Sequence, residues 1–231
     1  MWISHFYYSN NYLMKIYNFN CETFTPFAPL WDYVMGEKLS QVDYYNLKEE
    51  ILQKEKDIIG KYDYQHDNNT GLGKYSLTSR SKDYNLLEFD SAEELKKDIR
   101  LIHDEFIEGL GFNFNGKIFV QCWANVMRKG QRIKKHCHGF GPYAYLSGHL
   151  CVQVNEDLYP TSTHYYNPYG VEPWSSPNMN NKMTIFPSWL QHDTDRVEDD
   201  VERITIAFDI IDESGYNIDV RNDMKSHWIE L

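Results

Sequence analysis

The sequence predicts an α+β fold in which helices of the first half support a jelly roll of antiparallel strands in the second half. From about Ser40 to Gly60 and again from Ser91 to Gly109, apolar residues recur with helical spacing, whereas after Gly116 they alternate with the period of two that is typical of strands. The 231 residues, of which 42% are hydrophobic, can bury the core of one domain. We therefore expect a single domain over 1–231, with an N-terminal arm and supporting helices in 1–112, the jelly-roll core in 113–212 and a C-terminal tail in 213–231.

The first forty residues are aromatic and irregular, and the stretch TPFAPLW at 25–31 contains two prolines, which a helix interior does not tolerate. We expect an arm or an edge segment here. From about Ser40 to Gly60, apolar residues recur near helical spacing among Lys and Glu, which predicts an amphipathic helix. Its apolar face comprises Leu47, Ile51, Leu52, Ile58 and Ile59. The stretch DNNTGLG at 67–73 then predicts a loop.

A second helix has clearer end signals. Ser91 and Glu94 have the spacing of a capping box, and Gly109 and Gly111 are typical of a helix end. One face of this helix is apolar and carries Leu95, Ile99, Ile102 and Phe106. We expect both helices to support a sheet and to carry no chemistry.

Four segments of the second half are predicted to be strands, namely Ile118–Met127, Leu146–Val154, Lys182–Phe186 and Arg203–Ile211. A long connection over 155–181, rich in Tyr, Pro and Asn, separates the second strand from the third. A connection of this length is usually a lid or is itself partly stranded.

Composition excludes several function classes. The four cysteines, Cys21, Cys122, Cys137 and Cys151, form no CxxC pair, which disfavours a zinc ribbon and favours reduced thiols inside a cell. The N-terminus lacks the pattern of a secretory signal, and no run of 18 apolar residues occurs, so we expect a cytoplasmic protein without a membrane partner. The net charge of -11 disfavours nucleic acid, and the basic run 128–135 is expected to be a solvated hairpin.

The predicted chemistry begins at His136 and His138. On an extended segment these side chains share one face and can chelate one metal ion. Because the chain has nine histidines, an HxH pair can arise by coincidence, and a third ligand is required. His192 supplies it if the strand before Pro187 turns back toward the HxH segment. Imidazole ligands suit Fe(II), Zn(II) and Cu(II), so these residues alone do not choose the metal.

The strand that follows carries an arginine. Arg203, Thr205 and Ala207 are expected to share one face, with Ile204, Ile206 and Phe208 in the core. An inward arginine requires an anion. A dicarboxylate that chelates the metal at one end would meet Arg203 at the other, with Thr205 as a hydroxyl donor. The alternative is a salt bridge to the acidic stretch 198–200.

Together these motifs resemble the 2-oxoglutarate- and Fe(II)-dependent oxygenase superfamily and, within it, a family common in marine bacteria and their phages. The resemblance covers roughly Thr78 to Asp209 and rests on WANV with Gly130, HCH at 136–138, LSG at 146–148, IFPSWLQH at 185–192 and RITIAF at 203–208. It implies a double-stranded β-helix of the cupin-like type and the cytoplasm of a bacterium or of a phage-infected host. Fe(II), 2-oxoglutarate and dioxygen are the implied cofactors. His136 and His192 are then metal ligands, Arg203 grips the distal carboxylate of 2-oxoglutarate, and Asn125 lines the same pocket.

One departure concerns His138, which stands where the superfamily usually has the Asp or Glu of an HxD or HxE motif. We expect His138 to be the third metal ligand, since the HxH form looks habitual in the narrower family. Two alternatives are that His138 only hydrogen-bonds to a ligand, or that Asp193 or Asp195 supplies an oxygen ligand.

The implied activity is a hydroxylase that acts on an unactivated C–H bond and releases succinate and carbon dioxide. Its substrate is either a peptide or protein residue, as in prolyl hydroxylases, or a small metabolite. The aromatic loop Tyr159–Trp174 and the basic run 128–135 are candidates for a peptide clamp, although such aromatic loops are more often ordinary packing. The alternatives are a cupin-like three-histidine dioxygenase without 2-oxoglutarate and a metal-binding barrel without turnover.

Three further histidines and the oligomeric state complete the expectations. His149 is expected to be a satisfied core histidine, with contact to the pocket as the alternative, while His164 and His227 have no motif around them. The N-terminal arm can pack on its own barrel or on a neighbour's, so the sequence leaves open whether the chain is a monomer or a dimer.

Overall fold

The computed structural model describes residues 13–20, 23, 25–28, 30–61, 63, 66–67, 69–169 and 172–231. Its helices are α1 (Tyr45–Gly60), α2 (Glu93–Gly109) and α3 (Glu213–Ile218), with short 3-10 turns at Thr78–Arg80, Leu86–Glu88 and Lys225–His227. Its strands are β1 (Lys15–Asn20), β2 (Asp32–Leu39), β3 (Ile118–Met127), β4 (Leu146–Gln153), β5 (Ser162–Tyr166), β6 (Trp174–Pro177), β7 (Lys182–Pro187), β8 (Gln191–Thr194), β9 (Arg203–Asp212) and β10 (Ile229–Glu230).

The strands form two antiparallel sheets. The larger sheet has the order β1-β2-β7-β4-β9-β3-β10, and the smaller sheet has the order β6-β5-β8. This arrangement confirms the predicted jelly-roll class, and the four predicted strands correspond to β3, β4, β7 and β9. None of the described helices combines the length and the apolar character that crossing a bilayer requires.

Strand β9 is an interior strand of the larger sheet, between β4 and β3, and is buried on both faces. Ile204, Ile206 and Phe208 have no exposed surface and belong to the main core. The alternate residues Thr205 and Ala207 face a cavity on the other side. The predicted division of this strand into a core face and a site face is therefore confirmed.

Helices α1 and α2 contribute to the main core together with the larger sheet, as predicted. Leu47 and Ile51 of α1 are buried there, as are the four predicted residues of α2, Leu95, Ile99, Ile102 and Phe106. An amphipathic helix gains most of its stability from such a buried stripe, because isolated helices of this length are marginal in water.

The predicted capping box of α2 is wrong. The helix begins at Glu93 after Ala92, which makes no side-chain cap. Instead, the carboxylate of Glu50 on α1 accepts hydrogen bonds from the backbone N–H of Asp90 (3.1 Å), the backbone N–H of Ser91 (2.9 Å) and the Ser91 hydroxyl. A carboxylate from α1 thus holds the segment that leads into α2, and of the two N–H groups that a capping box would satisfy it accepts from that of Ser91.

The N-terminal segment was expected to be either an arm or an edge segment, and its described part lies at the edge of the larger sheet. β1 is the edge strand of the larger sheet, and β2 pairs with β7, so the described part of this segment pairs with its own sheet. A Cβ on Gly36 in β2 would lie 2.8 Å from the Phe106 ring, so glycine lets α2 approach this strand. Residues 1–12, Cys21 and Pro29 lie outside the described residues.

The long connection over 155–181 is partly stranded, since it contains β5 and β6. Its tyrosines and tryptophan divide between packing and surface. Tyr165 and Trp174 belong to a second core cluster with Phe19 and Phe186, whereas Tyr159 and Tyr169 are exposed. The predicted aromatic clamp is therefore in large part ordinary packing.

The basic run 128–135 is an irregular loop and not the predicted hairpin. Gly130 turns with a φ of 84°, which favours glycine. The Arg128 guanidinium forms a bidentate pair with Glu55 at 3.0 and 2.7 Å, and Lys129 pairs with Asp200 at 2.8 Å. Carboxylates of the chain itself therefore neutralise part of this basic run.

Candidate metal centre

A cavity of about 410 Å³ lies between the two sheets and contains most of the predicted site residues. The larger sheet contributes Asn125 from β3, His149 from β4 and Thr205 from β9, and the smaller sheet contributes His192 from β8. The remaining walls include Thr78, Trp123, Ile133, His136, Cys137, His138, Phe186 and Ala207.

His136, His138 and His192 converge in this cavity. One ring nitrogen from each lies within 4.8 Å of the others, so the three imidazoles form a group that can hold a metal ion. The backbones of His136 and His192 are joined by two reciprocal N–H···O hydrogen bonds of 3.0 and 2.9 Å. A third bond of 2.9 Å joins the backbone N–H of His138 to the carbonyl of Ser188.

The segment after β7 explains how His192 reaches this position. Pro187 accepts a 2.9 Å hydrogen bond from the backbone N–H of Leu190, which closes a tight turn and leads directly into β8. The predicted return of the chain at Pro187 is thus correct. Strand β8 itself, with only four residues, had no signal in the sequence.

Each of the three imidazoles has an acceptor behind it at Nδ1. For His136 and His192 these acceptors are the backbone carbonyls of Lys134 (2.8 Å) and Leu190 (3.0 Å). For His138 the acceptor is the carboxylate of Asp209 at 2.6 Å. An acceptor at Nδ1 places the proton there, which leaves the Nε2 lone pair of each ring for a metal ion and fixes the ring orientation.

Burial also favours the neutral, metal-binding form of two of these rings, His136 and His192. Burial, with a smaller contribution from the nearby imidazole of His138, lowers the pKa of His136 to about 4. Burial likewise holds the pKa of His192 well below its usual range. Because a metal ion competes with protons for the same nitrogen, low pKa values leave these rings ready to bind a cation at neutral pH.

The two carboxylates that were alternative ligands make other contacts. Asp195 accepts a hydrogen bond from the backbone N–H of Ser162 (2.7 Å) and pairs with His164 (2.9 Å). Asp193 accepts a hydrogen bond from the Tyr166 hydroxyl at 3.0 Å. Among the described residues, the side chains that could bind a metal ion at this site are the three histidines, and Asp193 and Asp195 do not belong to this group.

Arg203 is 3% exposed and makes no ion pair with a carboxylate of the described residues. Its guanidinium donates weakly to the carbonyl of Asp195 (3.4 Å) and lies 3.1 Å from the sulfur of Met127, while Nε is buried without a partner. Burial therefore lowers the pKa of Arg203. The alternative, a salt bridge between Arg203 and the acidic stretch 198–200, is not observed. The guanidinium is therefore a buried cation that a bound anion would stabilise.

Asn125 and Thr205 lie in the cavity with the histidines, and Arg203 lies next to them on β9. The Asn125 amide donates to the Thr205 hydroxyl at 3.3 Å and accepts from the Thr78 hydroxyl at 2.7 Å. Arg203, two residues along the strand from Thr205, does not line this cavity but a separate groove of about 460 Å³.

The predicted role of His149 as a satisfied core histidine is wrong. Its ring lines the cavity, with Nε2 2.8 Å from the Tyr165 hydroxyl and Nδ1 buried without a partner. Burial, with smaller contributions from Lys182 and Arg203, lowers its pKa to about 3. His164 pairs with Asp195 and Ser175 and does not line the cavity.

Asp209 is a site residue that sequence reasoning missed. Although burial raises its pKa, His138 and hydrogen bonds from Ser147 (2.7 Å) and Gln121 (2.8 Å) outweigh this and lower it. The available signal was a carboxylate within an otherwise apolar strand, in the same alternation as Arg203 and therefore on the site face.

A second groove, of about 520 Å³, meets the cavity at His138 and Lys82. Its apolar walls come from the loop after the HxH segment and from the C-terminal segment, and they include Tyr143, Tyr145, Met224 and Trp228. His138 is therefore accessible from this groove as well as from the cavity, and Asn125 and Thr205 line the cavity alone.

Comparisons with known proteins agree with this geometry. Residues 121–209 match the model of a family described as "Putative 2OG-Fe(II) oxygenase", which confirms the resemblance predicted from the sequence motifs. This family implies Fe(II), 2-oxoglutarate and dioxygen as cofactors. A search of curated proteins found no match.

Solved structures show the same fold at low sequence identity. A prolyl-4-hydroxylase from Pseudomonas putida aligns with a TM-score of 0.53 at 10% identity, over 77% of this chain and 91% of its own. A prolyl hydroxylase from Trichoplax adhaerens, solved with a hypoxia inducible factor peptide fragment, aligns with a TM-score of 0.52 at 11% identity, over 81% of this chain and 87% of its own. At these identities the likeness shows the fold alone.

Proposed function

We propose that the chain, as a 2OG-Fe(II) oxygenase, is a hydroxylase that oxidises an unactivated C–H bond and releases succinate and carbon dioxide. One observation carries this proposal. A cluster of three imidazoles lines one cavity with Asn125 and Thr205, and two residues from Thr205 on β9 the buried Arg203 has no anionic partner among the described residues. A metal ion would fit the first, and a dicarboxylate that reaches from the metal to the guanidinium would fit the second.

His136, His138 and His192 would hold the Fe(II) ion through Nε2. Their Nδ1 hydrogen bonds keep the rings in the tautomer and orientation that metal binding needs, so little reorganisation accompanies binding. When bound, Fe(II) and 2-oxoglutarate supply the oxidising chemistry, in which activation of dioxygen is coupled to decarboxylation of the cosubstrate.

Arg203, Thr205 and Asn125 would hold the distal carboxylate of 2-oxoglutarate. A buried guanidinium without an anion costs several kcal/mol, and a bidentate carboxylate compensates for this cost. Asn125 keeps the Thr205 hydroxyl in place through its 3.3 Å hydrogen bond and is itself held by Thr78. These residues give the cosubstrate a fixed anchor at one end.

The groove beyond His138 would admit the substrate. It is lined by His138 but not by Asn125 or Thr205, so a substrate bound there would meet the metal without displacing the cosubstrate. Its aromatic walls at Tyr143, Tyr145 and Trp228 suit a peptide or protein residue, and a fold neighbour was solved with a peptide fragment. A small metabolite is the second candidate substrate.

Arg203 also distinguishes the proposed function from the two alternative functions. A three-histidine dioxygenase without 2-oxoglutarate, or a metal-binding barrel without turnover, explains the histidine cluster but leaves the buried Arg203 without a role. Anaerobic addition of Fe(II) and then 2-oxoglutarate should produce the weak visible absorption band of the chelate. A metal-loaded protein that shows no such band would contradict the cosubstrate assignment.

The substrate class requires a direct search. We expect mass spectrometry to find a gain of one oxygen in candidate peptides, or otherwise in cell metabolites, only when Fe(II), 2-oxoglutarate and dioxygen are all present. His192→Ala should abolish this gain because it removes a proposed ligand, and it serves as the control for adventitious oxidation. A gain that persists in His192→Ala would mean that the oxidation occurs elsewhere.

A further inference from the structure

Asp209 places a buried carboxylate directly behind the imidazole of His138. Its Oδ1 lies 2.6 Å from Nδ1 of that ring, and the residue is only 8% exposed. The carboxylate also accepts hydrogen bonds from the Ser147 hydroxyl (2.7 Å) and the Gln121 amide (2.8 Å). Three donors converge on this carboxylate, as expected for its ionised form.

This arrangement distinguishes His138 from the other two histidines of the cluster. The Nδ1 atoms of His136 and His192 meet neutral backbone carbonyls, whereas that of His138 meets an anion. His138 is also the residue that stands where an HxD or HxE motif has its carboxylate. The departure in sequence and the extra negative charge in the structure therefore occur at the same ligand position.

We propose that Asp209 supplies, through His138, the negative charge that the usual motif places in a metal-bound carboxylate. This inference rests on the proposed function, since it takes His138 as a ligand. In this role Asp209 is a positioning and charge-supplying residue that does not itself touch the metal. Hydrogen bonding of Nδ1–H to a carboxylate raises the basicity of Nε2, so the ring becomes a stronger donor to a cation than a histidine held by a carbonyl.

The charge balance of the site supports the same conclusion. Within the described part of the chain, no Lys or Arg lies within 4.0 Å of the Asp209 carboxylate, and His138 is its one ion-pair partner. The Asp209 carboxylate is buried, and a buried carboxylate is stabilised by a nearby cation. A cation at Nε2 of His138 would neutralise it through the ring.

The larger sheet holds Asp209 rigidly in this position. Gln121 on β3 and Ser147 on β4 are the residues directly opposite Asp209 in the register of β9. Both neighbouring strands thus supply a donor to the same carboxylate. The charge is therefore fixed in place before a metal ion binds.

The first experiment compares Asp209→Asn with Gln121→Met in iron-loaded protein without 2-oxoglutarate. Asp209→Asn removes the charge with little change in shape, and we expect it to weaken Fe(II) binding 10- to 100-fold. We expect it to lower the affinity for Fe(III) relative to Fe(II) at least tenfold, which raises the reduction potential by about 59 mV or more. Gln121→Met removes one hydrogen bond but keeps the charge, so its potential should equal that of the wild type. An unchanged potential in Asp209→Asn would overturn the inference.

The second experiment moves the charge instead of removing it. His138→Asp alone brings two carboxylates together in a buried site, whereas His138→Asp combined with Asp209→Asn leaves one negative charge in the usual ligand position. We therefore expect the double variant to bind Fe(II) at least tenfold more tightly than His138→Asp alone. Equal or tighter binding by the single variant would contradict the proposal.

A third measurement uses the wild-type protein loaded with Zn(II) and therefore does not depend on how the variants fold. Nitrogen-15 NMR of labelled histidines reports each Nδ1–H. We expect the proton of His138 to resonate farthest downfield of the three, because its acceptor is charged and close. Three similar resonances would overturn the role of Asp209 while leaving the metal site intact. A wild-type protein that binds neither metal would overturn the proposed function, and this inference with it.

Discussion

Replacement of Arg203 by methionine separates a cosubstrate anchor from a structural arginine. In the protein without ligands, Arg203→Met removes one long hydrogen bond of 3.4 Å to Asp195 and one contact to the Met127 sulfur. Their loss costs about 1–2 kcal/mol at most. The same change removes the desolvation cost of a buried cation that has no anion, which is several kcal/mol. We therefore expect the unliganded variant to be as stable as the wild type or more stable.

Although Arg203→Met should not lower the stability of the unliganded protein, it should weaken the binding of 2-oxoglutarate. A carboxylate that loses a buried charged partner loses about 3–5 kcal/mol, so the dissociation constant should rise at least about a hundredfold. Urea unfolding of the metal-free protein gives the first quantity, and anaerobic titration of the Fe(II) protein, followed by its visible band, gives the second.

The matched control for this experiment is Arg128→Met. Arg128 forms a bidentate pair with the largely buried Glu55, outside the cavity. Its removal leaves a buried carboxylate unpaired, so we expect a loss of about 1–3 kcal/mol in stability and unchanged cosubstrate binding. The reasoning is refuted if Arg203→Met behaves like Arg128→Met, with lower stability and normal 2-oxoglutarate affinity.

Three further predictions concern the metal, pH and the segment before α2. Excess Fe(II) or Zn(II) at a hundred times its dissociation constant should stabilise the wild type by about 2.7 kcal/mol in anaerobic thermal unfolding, and a chelator should reverse this, whereas His192→Ala should show no such gain. Because burial lowers the pKa of His136 to about 4 from its usual 6.5, the unfolded chain takes up this proton first on acidification. The metal-free protein should therefore keep its full stability above pH 6.5 and lose about 3 kcal/mol from this residue as the pH falls to 4, and urea unfolding that is flat over this range would contradict the assignment. Glu50→Gln should lower the free energy of unfolding by about 1–2 kcal/mol because it weakens the hydrogen bonds that hold the segment before α2, whereas Glu49→Gln, at a side chain that is 41% exposed, should change it by less than about 0.5 kcal/mol.

Periodicity was sufficient to predict the main strands and helices of this protein. The alternation in 118–127 and 203–211 reflects the pleat of a strand, and the apolar stripe of α2 reflects the helical repeat. Both are properties of the local backbone, so they can be read without knowledge of neighbours. Strand β8 had no such signal, because four residues are too few to establish a period.

The histidine motif could likewise be predicted in part. The HxH spacing and the turn at Pro187 are local, and they identified the three histidines that the structure brings together. The sequence also predicted that Arg203 and Thr205 alternate on one strand; both lie on β9, where Thr205 lines the cavity of the histidines and Arg203 lines a separate groove.

Only the tertiary structure decided which groups satisfy the buried polar atoms. It paired His138 with Asp209, 71 residues away, and it placed the Glu50 carboxylate against Ser91, 41 residues away, where a local capping box had been predicted. It also left Arg203 without an anion and His149 with an unpartnered nitrogen in the cavity. The physical reason is that hydrogen-bond and ion-pair partners are chosen by distance in space once water is excluded, whereas periodicity depends only on distance along the chain.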